Sequence, residues 1–525
     1  MPWYRYLTAG LCALALAACG KQADAPADDP NALTILAGSE LKDIEPLLPE
    51  VQKATGLNLK LKYAGTLDAV EQIQAGANYD LAWLANSKYA LLTPGLRDKI
   101  KASERTMISP VILGVKTSKA KALGWDKPNA SPSWADIAKA AGAGKFRFAM
   151  SNPASSNTGF SAVLGLAAAV AGKGDALELA DIDKTALTAF ARAQALTAGS
   201  SGWLGEAFVR EQDRLDGMVN YASVLYAMNQ AGGLREPLTL VYPKDGVITA
   251  DYPLLRLNNA KRADYDKLVA YLKGEAFQKA MTAATFRQPV NTAVPSSLPR
   301  HDYFELAFPA KLAVVDGLLD AYQNEFRRPA DSTFVVDISG SMDSNGRLDQ
   351  LRTALSGLAG SDASLSGRFT RFRERERIAI STFSSEVHDR QQWTLGSDRA
   401  ANATTLGKIS DFARNLSTRG GTAIYSAVQD GYQDALARQA RDPDRVYSLV
   451  LMTDGANNQG LSLEGFQQWF ASLPPEKRRI RIFAIQFGEA RREQLEALTV
   501  PSGGRVFDGS KSGLQAAFKE IRGYQ

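Results

Sequence analysis

Cysteine and histidine are almost absent from this chain, and their scarcity excludes several kinds of function. Both cysteines, Cys12 and Cys19, fall near the start, so the remaining chain offers neither a disulfide nor a thiol nucleophile. Of the two histidines, His301 is expected in a loop and His388 in a polar turn, both at the surface. No G-x-S-x-G elbow and no phosphate-binding P-loop motif occurs. These absences favour a binding protein over an enzyme.

Long hydrophobic runs are also missing, apart from residues 7–17 near the start, which are too few to span a bilayer. Small residues close this run, and residues 1–18 have the pattern of a signal peptide. Its ending, L-A-A-C, resembles the lipobox of bacterial lipoproteins. The resemblance implies that Cys19 carries lipid and that residues 19–32 form a flexible tether. Gly20 after Cys19 points to the outer membrane if the source is Gram-negative.

Composition and charge are those of soluble globular material. The 525 residues are 45% hydrophobic and 22% charged, which predicts two to four domains with real cores. A net charge of +5 is thinly spread. The densest basic run, residues 368–377, contains two glutamates and is expected to be a solvated loop or helix face. We therefore expect no nucleic-acid partner.

The strongest motif lies in residues 333–342, TFVVDISGSM, which predict a buried strand followed by a turn with small oxygen-bearing side chains. A glycine pair at 420–421 and an apolar strand at 446–453 are each followed by a further oxygen ligand. Open α/β sheets bind ligands at the carboxyl ends of their strands, so these side chains are expected at one edge. They are Asp337, Ser339, Ser341, Thr422 and Asp454.

Hydroxyls and carboxylates without nitrogen or sulfur ligands suit a hard cation, and two aspartates roughly balance one divalent charge. The ordered motifs resemble the metal-ion-dependent adhesion site of von Willebrand factor type A (VWA) domains, with all five positions matched. The resemblance implies that Ser339, Ser341 and Thr422 touch the metal, while Asp337 and Asp454 hold it mostly through water. An acidic residue of a protein partner would complete the coordination. Mg²⁺ is expected, with Mn²⁺ or Ca²⁺ as alternatives; N-capping residues over an empty site are the plain structural alternative.

Strand and helix signals alternate from Leu33 onward, which is typical of parallel β–α–β units. Small polar residues follow these strands close to helix starts, where free backbone N–H groups bind anions or polar ligand groups. The pattern resembles type 2 periplasmic solute-binding proteins, in which two α/β lobes close over a ligand about a hinge. The ligand contacts carried over from the resemblance are Ser39, Thr66, Ser87, Ser156 and Tyr221.

Two alternatives remain open for this first domain. The polar residues can be mere N-caps and turn formers. The chemistry of the ligand is also open, because Glu40 follows Ser39 and would repel an anion. An oxyanion is therefore not predicted, and a small organic solute or a peptide segment remains possible.

The predicted fold class is α/β, a two-lobed periplasmic-binding-protein-like domain followed by a doubly wound, Rossmann-like VWA domain. The expected boundaries are residues 33–300 for the first domain, 301–331 for a connecting helix and linker, and 332–525 for the second. The short connection predicts that the two domains touch.

We therefore expect a lipid-anchored periplasmic binding protein, not an enzyme. Its VWA domain would bind Mg²⁺ and a protein partner, its first domain would bind or sense a small solute, and ligand closure would alter partner binding. One alternative is the solute-binding component of an ABC importer whose VWA domain recruits the permease. A weaker alternative is an Mg²⁺-dependent hydrolase.

Overall fold

The computed structural model describes residues 32–127, 130–299 and 301–525. The predicted signal peptide, the lipidation site Cys19 and nearly all of the tether lie outside these ranges. Across the described ranges, no helix combines the length and apolar character needed to cross a membrane.

Within its described residues, the first domain contains twelve strands in two sheets. A five-stranded sheet of order β2-β1-β3-β11-β4 forms lobe 1, and a seven-stranded sheet centred on β5 forms lobe 2. The strands are β1 (Ala32–Gly38), β2 (Asn58–Ala64), β3 (Leu81–Trp83), β4 (Ala102–Arg105), β5 (Met107–Lys116), β6 (Phe148–Ser151), β7 (Gln194–Ala198), β8 (Gly217–Tyr221), β9 (Leu238–Val241), β10 (Thr249–Ala250), β11 (Pro253–Arg256) and β12 (Gln288–Pro289).

The chain passes between the lobes three times, from β4 to β5, from β10 to β11 and from β11 to β12. The first two crossings are joined, because the Thr106 hydroxyl donates to the Tyr252 carbonyl at 2.7 Å. Helices cover the sheets: α1 (Leu48–Thr55), α2 (Thr66–Gln74), α3 (Lys88–Leu92), α4 (Thr117–Leu123), α5 (Trp134–Gly142), α6 (Asn157–Ala171), α7 (Lys184–Ala193), α8 (Ser201–Glu211), α9 (Ala222–Gln230), α10 (Arg262–Leu272) and α11 (Glu275–Thr285).

The segment before the second domain lies against the first rather than hanging free. Its backbone forms two hydrogen bonds with Val247 of lobe 2. The Val247 N–H donates to the Phe304 carbonyl at 2.9 Å, and the Leu306 N–H donates to the Val247 carbonyl at 2.8 Å. Helix α12 (Leu312–Ala321) follows and ends in a π-helical turn, Tyr322–Phe326. Its apolar face is buried in the first domain's core.

The second domain is built on one six-stranded sheet of order β15-β14-β13-β16-β17-β18. All neighbouring strands are parallel except β15, which is antiparallel to β14. The strands are β13 (Ala330–Asp337), β14 (Arg377–Phe383), β15 (Val387–Thr394), β16 (Val446–Thr453), β17 (Arg481–Gln486) and β18 (Val506–Asp508). The helices are α13 (Arg347–Ser356), α14 (Leu365–Thr370), α15 (Arg399–Arg414), α16 (Ile424–Arg441), α17 (Leu463–Ser472), α18 (Arg492–Thr499), α19 (Gly509–Ser512) and α20 (Leu514–Arg522).

Two local predictions were wrong. His388 lies on edge strand β15, not in a turn, because a polar edge strand lacks the apolar alternation that marks a half-buried one. The basic run at 368–377 is not a solvated face: Arg373 and Glu376 are each only 1% exposed. They lie where the two domains meet, which composition alone does not show.

Apolar packing is continuous across the domain boundary. One cluster of buried residues joins lobe 2 to the second domain, with Leu196 and Phe208 on one side and Phe334 and Phe483 on the other. A shared core of this kind fixes the orientation of the two domains.

Candidate functional site

The carboxyl end of β13 places Asp337 at the centre of the second domain's site. Its side chain is fully buried, and its two oxygens accept from the Ser339 N–H at 2.8 Å and the Thr453 hydroxyl at 2.7 Å. Burial raises the pKa of Asp337 to about 6, although these hydrogen bonds oppose the change. The hydrogen bonds from Ser339, in the turn after β13, and from Thr453, on the neighbouring strand β16, fix the orientation of the Asp337 carboxylate.

The other predicted ligands gather around Asp337. The hydroxyls of Ser339 and Ser341 are 3.1 Å apart, and Ser341 Oγ donates to Asp454 Oδ1 at 2.8 Å. Thr422 comes from a separate loop, held by its N–H donating to Asn458 Oδ1 at 2.8 Å. A Cβ built on Gly455 would lie 3.6 Å from Ser341 Oγ and 3.9 Å from Thr422 Oγ1. The three loops therefore converge, and Gly455 keeps the space between two hydroxyls clear.

The donor set fits a hard divalent cation, since it consists of hydroxyls and carboxylates around a space that a side chain at position 455 would fill. Across the described ranges, no three His, Cys, Asp or Glu side chains group together in a way that could hold a metal ion. Any metal at this edge would thus depend on the hydroxyls as much as on the two aspartates.

Arg347 was not anticipated from the sequence. Its Nη1 donates to Asp454 Oδ2 at 2.6 Å, and the Arg347 side chain is only 14% exposed. Gly488 leaves room for it, because a Cβ there would lie 2.7 Å from the Arg347 guanidinium carbon. With Arg347 included, the charged side chains sum to −1, not −2. The estimate that two aspartates balance a divalent ion therefore needs revision.

The predicted solute contacts fall on two facing edges of the first domain. Ser39, Thr66 and Ser87 follow β1, β2 and β3, which are neighbours in lobe 1. Ser156 follows β6 and Tyr221 ends β8, which are neighbours in lobe 2. Each set therefore lies at the carboxyl ends of adjacent strands.

Direct contacts show that these two edges face each other. Asn86 of lobe 1 donates its Nδ2–H to Asn157 Oδ1 of lobe 2 at 2.9 Å. Asn157 in turn donates to the Tyr221 hydroxyl at 3.2 Å, which lies 3.5 Å from Glu40 Oε1 of lobe 1. Burial raises the pKa of the Glu40 carboxyl. Burial and the charge of Glu40 raise the pKa of Tyr221.

The hydroxyls on these edges are not used as caps. Ser87 and Ser156 stand at the N-cap positions of α3 and α6, yet neither side chain accepts a capping hydrogen bond. Ser39 opens a 3₁₀ helix, Ser39–Leu47, and Thr66 opens α2, in each case after a glycine at the N-cap position. The interpretation of these residues as simple N-caps therefore lacks the hydrogen bonds it requires.

Arg287 and Tyr252 lie near the crossings between the lobes and were not predicted as site residues, because their contacts join positions far apart in sequence. Arg287 is fully buried, and its Nη1 donates to both oxygens of Asp43 at 2.8 and 2.7 Å. Its guanidinium lies 4.7 Å from the ring centre of Tyr252, whose φ of 41° is in the left-handed region. The Tyr252 hydroxyl is buried without a hydrogen-bond partner among the described residues. Strain at a bulky residue is typical of functional sites.

Comparison with protein families agrees with this division. Residues 33–287 match the model of the bacterial extracellular solute-binding protein family, and residues 331–520 match that of the von Willebrand factor type A domain. The chain joins a bacterial solute-binding domain to a VWA domain. The predicted solute-binding domain and the predicted VWA domain are thereby confirmed, whereas the metal site and the lipid attachment stay predictions. The search of curated proteins found no match to this chain.

Solved structures of binding proteins are similar to this chain at low identity. The periplasmic binding protein AfuA from Actinobacillus pleuropneumoniae, bound to fructose-6-phosphate, is 15% identical with a TM-score of 0.43; the match covers 56% of this chain and 98% of that one. Apo ferric ion-binding protein A from Pasteurella haemolytica is 16% identical, with a TM-score of 0.42 and coverage of 56% and 95%. The sulfate-binding protein SubI from Mycobacterium tuberculosis is 18% identical, with a TM-score of 0.39 and coverage of 55% and 98%.

Proposed function

We propose that this protein binds a divalent cation, Mg²⁺ first of all, at the VWA domain and uses it to dock an acidic side chain of a protein partner. The observation that carries the proposal is the convergence of Asp337, Ser339, Ser341, Thr422 and Asp454, with Gly455 leaving space among them. The residues that would hold the metal are these five. The bound ion would supply positive charge for a carboxylate.

Arg347 supports an anionic partner further. With Asp337 and Asp454 ionised and Arg347 charged, the side chains sum to −1, and a divalent cation changes the sum to +1. A partner carboxylate would restore neutrality at a site whose two aspartates are fully buried. A neutral or basic partner side chain would leave the charge uncompensated.

The solute-binding domain, in this proposal, takes a small solute between its lobes, against Ser39, Thr66, Ser87, Ser156 and Tyr221. The carboxylate of Glu40, 3.5 Å from the Tyr221 hydroxyl, argues against an oxyanion. A neutral, hydroxyl-bearing organic solute can donate a hydrogen bond to Glu40, so we favour that class.

Placement in the cell follows from the family and the first residues. Solute-binding domains of this family are extracellular, and the proposed attachment is through a lipid on Cys19 to the outer membrane, with residues 19–32 as a tether. The boundaries proposed for the folded parts are residues 33–300, 301–331 and 332–525. Nothing in the proposal requires catalysis.

Native mass spectrometry of the full chain, with and without chelator, tests the metal. The wild type should carry one Mg²⁺ that chelator removes, and Asp337→Ala should carry none. Asp349→Ala is the matched control, because Asp349 is a largely exposed carboxylate of the same domain. Equal loading of Asp337→Ala and wild type would refute the metal site. Mg²⁺-dependent turnover lost in Asp337→Ala would instead support the hydrolase alternative.

The same measurement tests the solute. A small-molecule adduct present on protein purified gently from its source should disappear in Tyr221→Ala. Tyr271→Ala is the control, since Tyr271 packs on Phe277, 6.0 Å between ring centres, away from the facing edges. An adduct that persists in Tyr221→Ala would refute this placement of the solute.

A further inference from the structure

The lobes of the solute-binding domain are in contact at one edge of their cleft. At this edge Gly65 of lobe 1 meets Ser155 of lobe 2 so closely that a Cβ on Gly65 would lie 2.4 Å from the Ser155 carbonyl oxygen. Two predicted solute contacts, Thr66 and Ser156, are the next residues in sequence. A solute that enters or leaves at this edge must therefore separate Gly65 from Ser155.

The VWA domain reaches lobe 1 at the same edge through helix α14. Phe369 of α14 is 7% exposed, and it packs in the buried cluster of the solute-binding domain rather than in the VWA core. Its helix lies against α2, the helix that begins at Thr66. An aromatic side chain of one domain thus anchors in the core of the other.

The VWA domain reaches lobe 2 through the end of helix α20. A Cβ on Gly523 would lie 3.0 Å from Gly199 Cα and 3.2 Å from Ser155 Oγ, so two backbones meet with no room for a side chain. Asn152 Nδ2–H donates to the Arg522 carbonyl at 3.3 Å. Gly523 therefore touches the residue that forms the contact between the lobes.

A narrow cavity marks the place where all three parts meet. Its walls come from both lobes and from the VWA domain. The lining residues include Gly65 of lobe 1, Asn152 and Ser155 of lobe 2, and Phe369, Arg522 and Gly523 of the VWA domain. The VWA domain accordingly bridges the two lobes at the cleft's edge.

We propose that the VWA domain is a clamp that holds the two lobes of the solute-binding domain closed, with Phe369 on lobe 1 and Gly523 on lobe 2. Separating the lobes requires at least one of these contacts to break. The rate of solute exchange then depends on the stability of these two contacts. Any change that displaces α14 from lobe 1 or α20 from lobe 2 opens the cleft. The inference deepens the proposed function, because it assumes that the lobes form a solute cleft.

The interior of the VWA domain ties the two contact points together. Arg522, at the end of α20, donates Nη2–H to both oxygens of Glu376, at 2.9 and 2.8 Å. Arg327, at the end of the connecting segment, donates to the same carboxylate at 3.0 Å. The Arg522 Nε–H also donates to the Thr370 carbonyl of α14 at 2.9 Å. Helices α14 and α20 are thus linked and act on the two lobes as one body.

The distance between the lobes tests the clamp directly. Spin labels on cysteines introduced at Lys53 of lobe 1 and Arg235 of lobe 2, both well exposed, report that distance by pulsed electron resonance. The full chain is used with Cys12 and Cys19 replaced. Wild type should give one narrow distribution, whereas Phe369→Ala and Gly523→Val should each shift at least about half of the molecules to longer distances.

Phe412→Ala is the matched control, since Phe412 packs on Trp393 within the VWA domain, 5.6 Å between ring centres. It should leave the distribution unchanged. Hydrogen exchange in α2 should become about tenfold faster in the two clamp variants, as expected for more frequent opening. Retained Mg²⁺ binding, or an unchanged circular dichroism spectrum if no metal binds, shows that each variant is folded.

Wild-type distributions in folded Phe369→Ala and Gly523→Val would overturn the clamp, because the lobes would then stay closed without it. Opening in both variants while no solute is ever found would support the clamp and refute solute binding. The two failures are therefore distinguishable.

Discussion

Replacing Glu376 by glutamine should weaken the attachment between the domains more than any exposed charge change. Glu376 is 1% exposed, and its carboxylate accepts from the guanidinium groups of Arg327 and Arg522 and from the Arg373 N–H. Glutamine keeps the shape but removes the charge. Two buried guanidinium groups then lose their counter-charge in an interior where water cannot replace it.

Breaking a buried ion pair by removing one partner costs about 3–5 kcal/mol. For a domain of this size each kcal/mol lowers Tm by about 2–4 °C, so the VWA transition should move down by roughly 6–20 °C. Calorimetry of the full chain measures this shift. Glu496→Gln is the control, because Glu496 is 43% exposed and its pair with Arg492 is worth at most about 1 kcal/mol.

The Tm difference between wild type and Glu376→Gln should decrease at acid pH. Although burial opposes the change, Arg522 and Arg327 hold the pKa of Glu376 below its ordinary value of 4.5. Its stabilisation is therefore complete above pH 4.5 and lost as pH falls through the lower, folded-state pKa. The Tm difference between wild type and Glu376→Gln should shrink only in that acid range. A decrease in Tm of less than about 2 °C for Glu376→Gln at neutral pH would refute the reasoning.

Three further substitutions test the roles of charge and space at the proposed metal site and at the junction between the domains. Arg347→Gln should tighten Mg²⁺ binding about tenfold by calorimetry, because it removes a cation that competes at Asp454; Arg419→Gln is the exposed control, and weaker binding would contradict the expectation. Gly455→Val should abolish Mg²⁺ binding while the Tm measured without Mg²⁺ stays unchanged, because its methyl groups fill the space beside Ser341 and Thr422; retained binding would contradict it. Arg373→Met should raise Tm, since the buried Nη atoms of Arg373 lack an acceptor among the described residues and an apolar replacement is worth about 1–4 kcal/mol; a lower Tm would contradict it.

The architecture of both domains and the gathering of polar residues at strand ends could be predicted from the sequence. Buried parallel strands are recognisable in the sequence as apolar runs, and the residues that follow these runs lie at the same edge of the sheet. An apolar strand was predicted at residues 446–453, and β16 has those bounds, Val446–Thr453. The five oxygen side chains of the VWA domain converge for the same reason.

Side chains that act across long sequence separations could not be predicted. Arg347 meets Asp454, 107 positions away, and Arg287 meets Asp43, 244 positions away. Nothing local distinguishes these arginines from surface arginines. Arg373 and Glu376 even stand in a run whose composition indicates solvent, because burial at a domain junction depends on a partner surface that no local pattern records.

The two ends of the VWA sheet are used for different purposes. Its strands' amino ends and the end of α20 face the solute-binding domain, as the bond from Arg481 Nη1 to the Thr197 carbonyl at 3.1 Å shows. Asp337 lies at the opposite end of the eight-residue strand β13, roughly 23 Å along it at the usual rise. A partner docked at the proposed metal site would therefore leave the clamp uncovered. Any influence of that partner on the cleft must then travel through the sheet and α20, so partner binding and lobe opening should be measured together in Glu376→Gln.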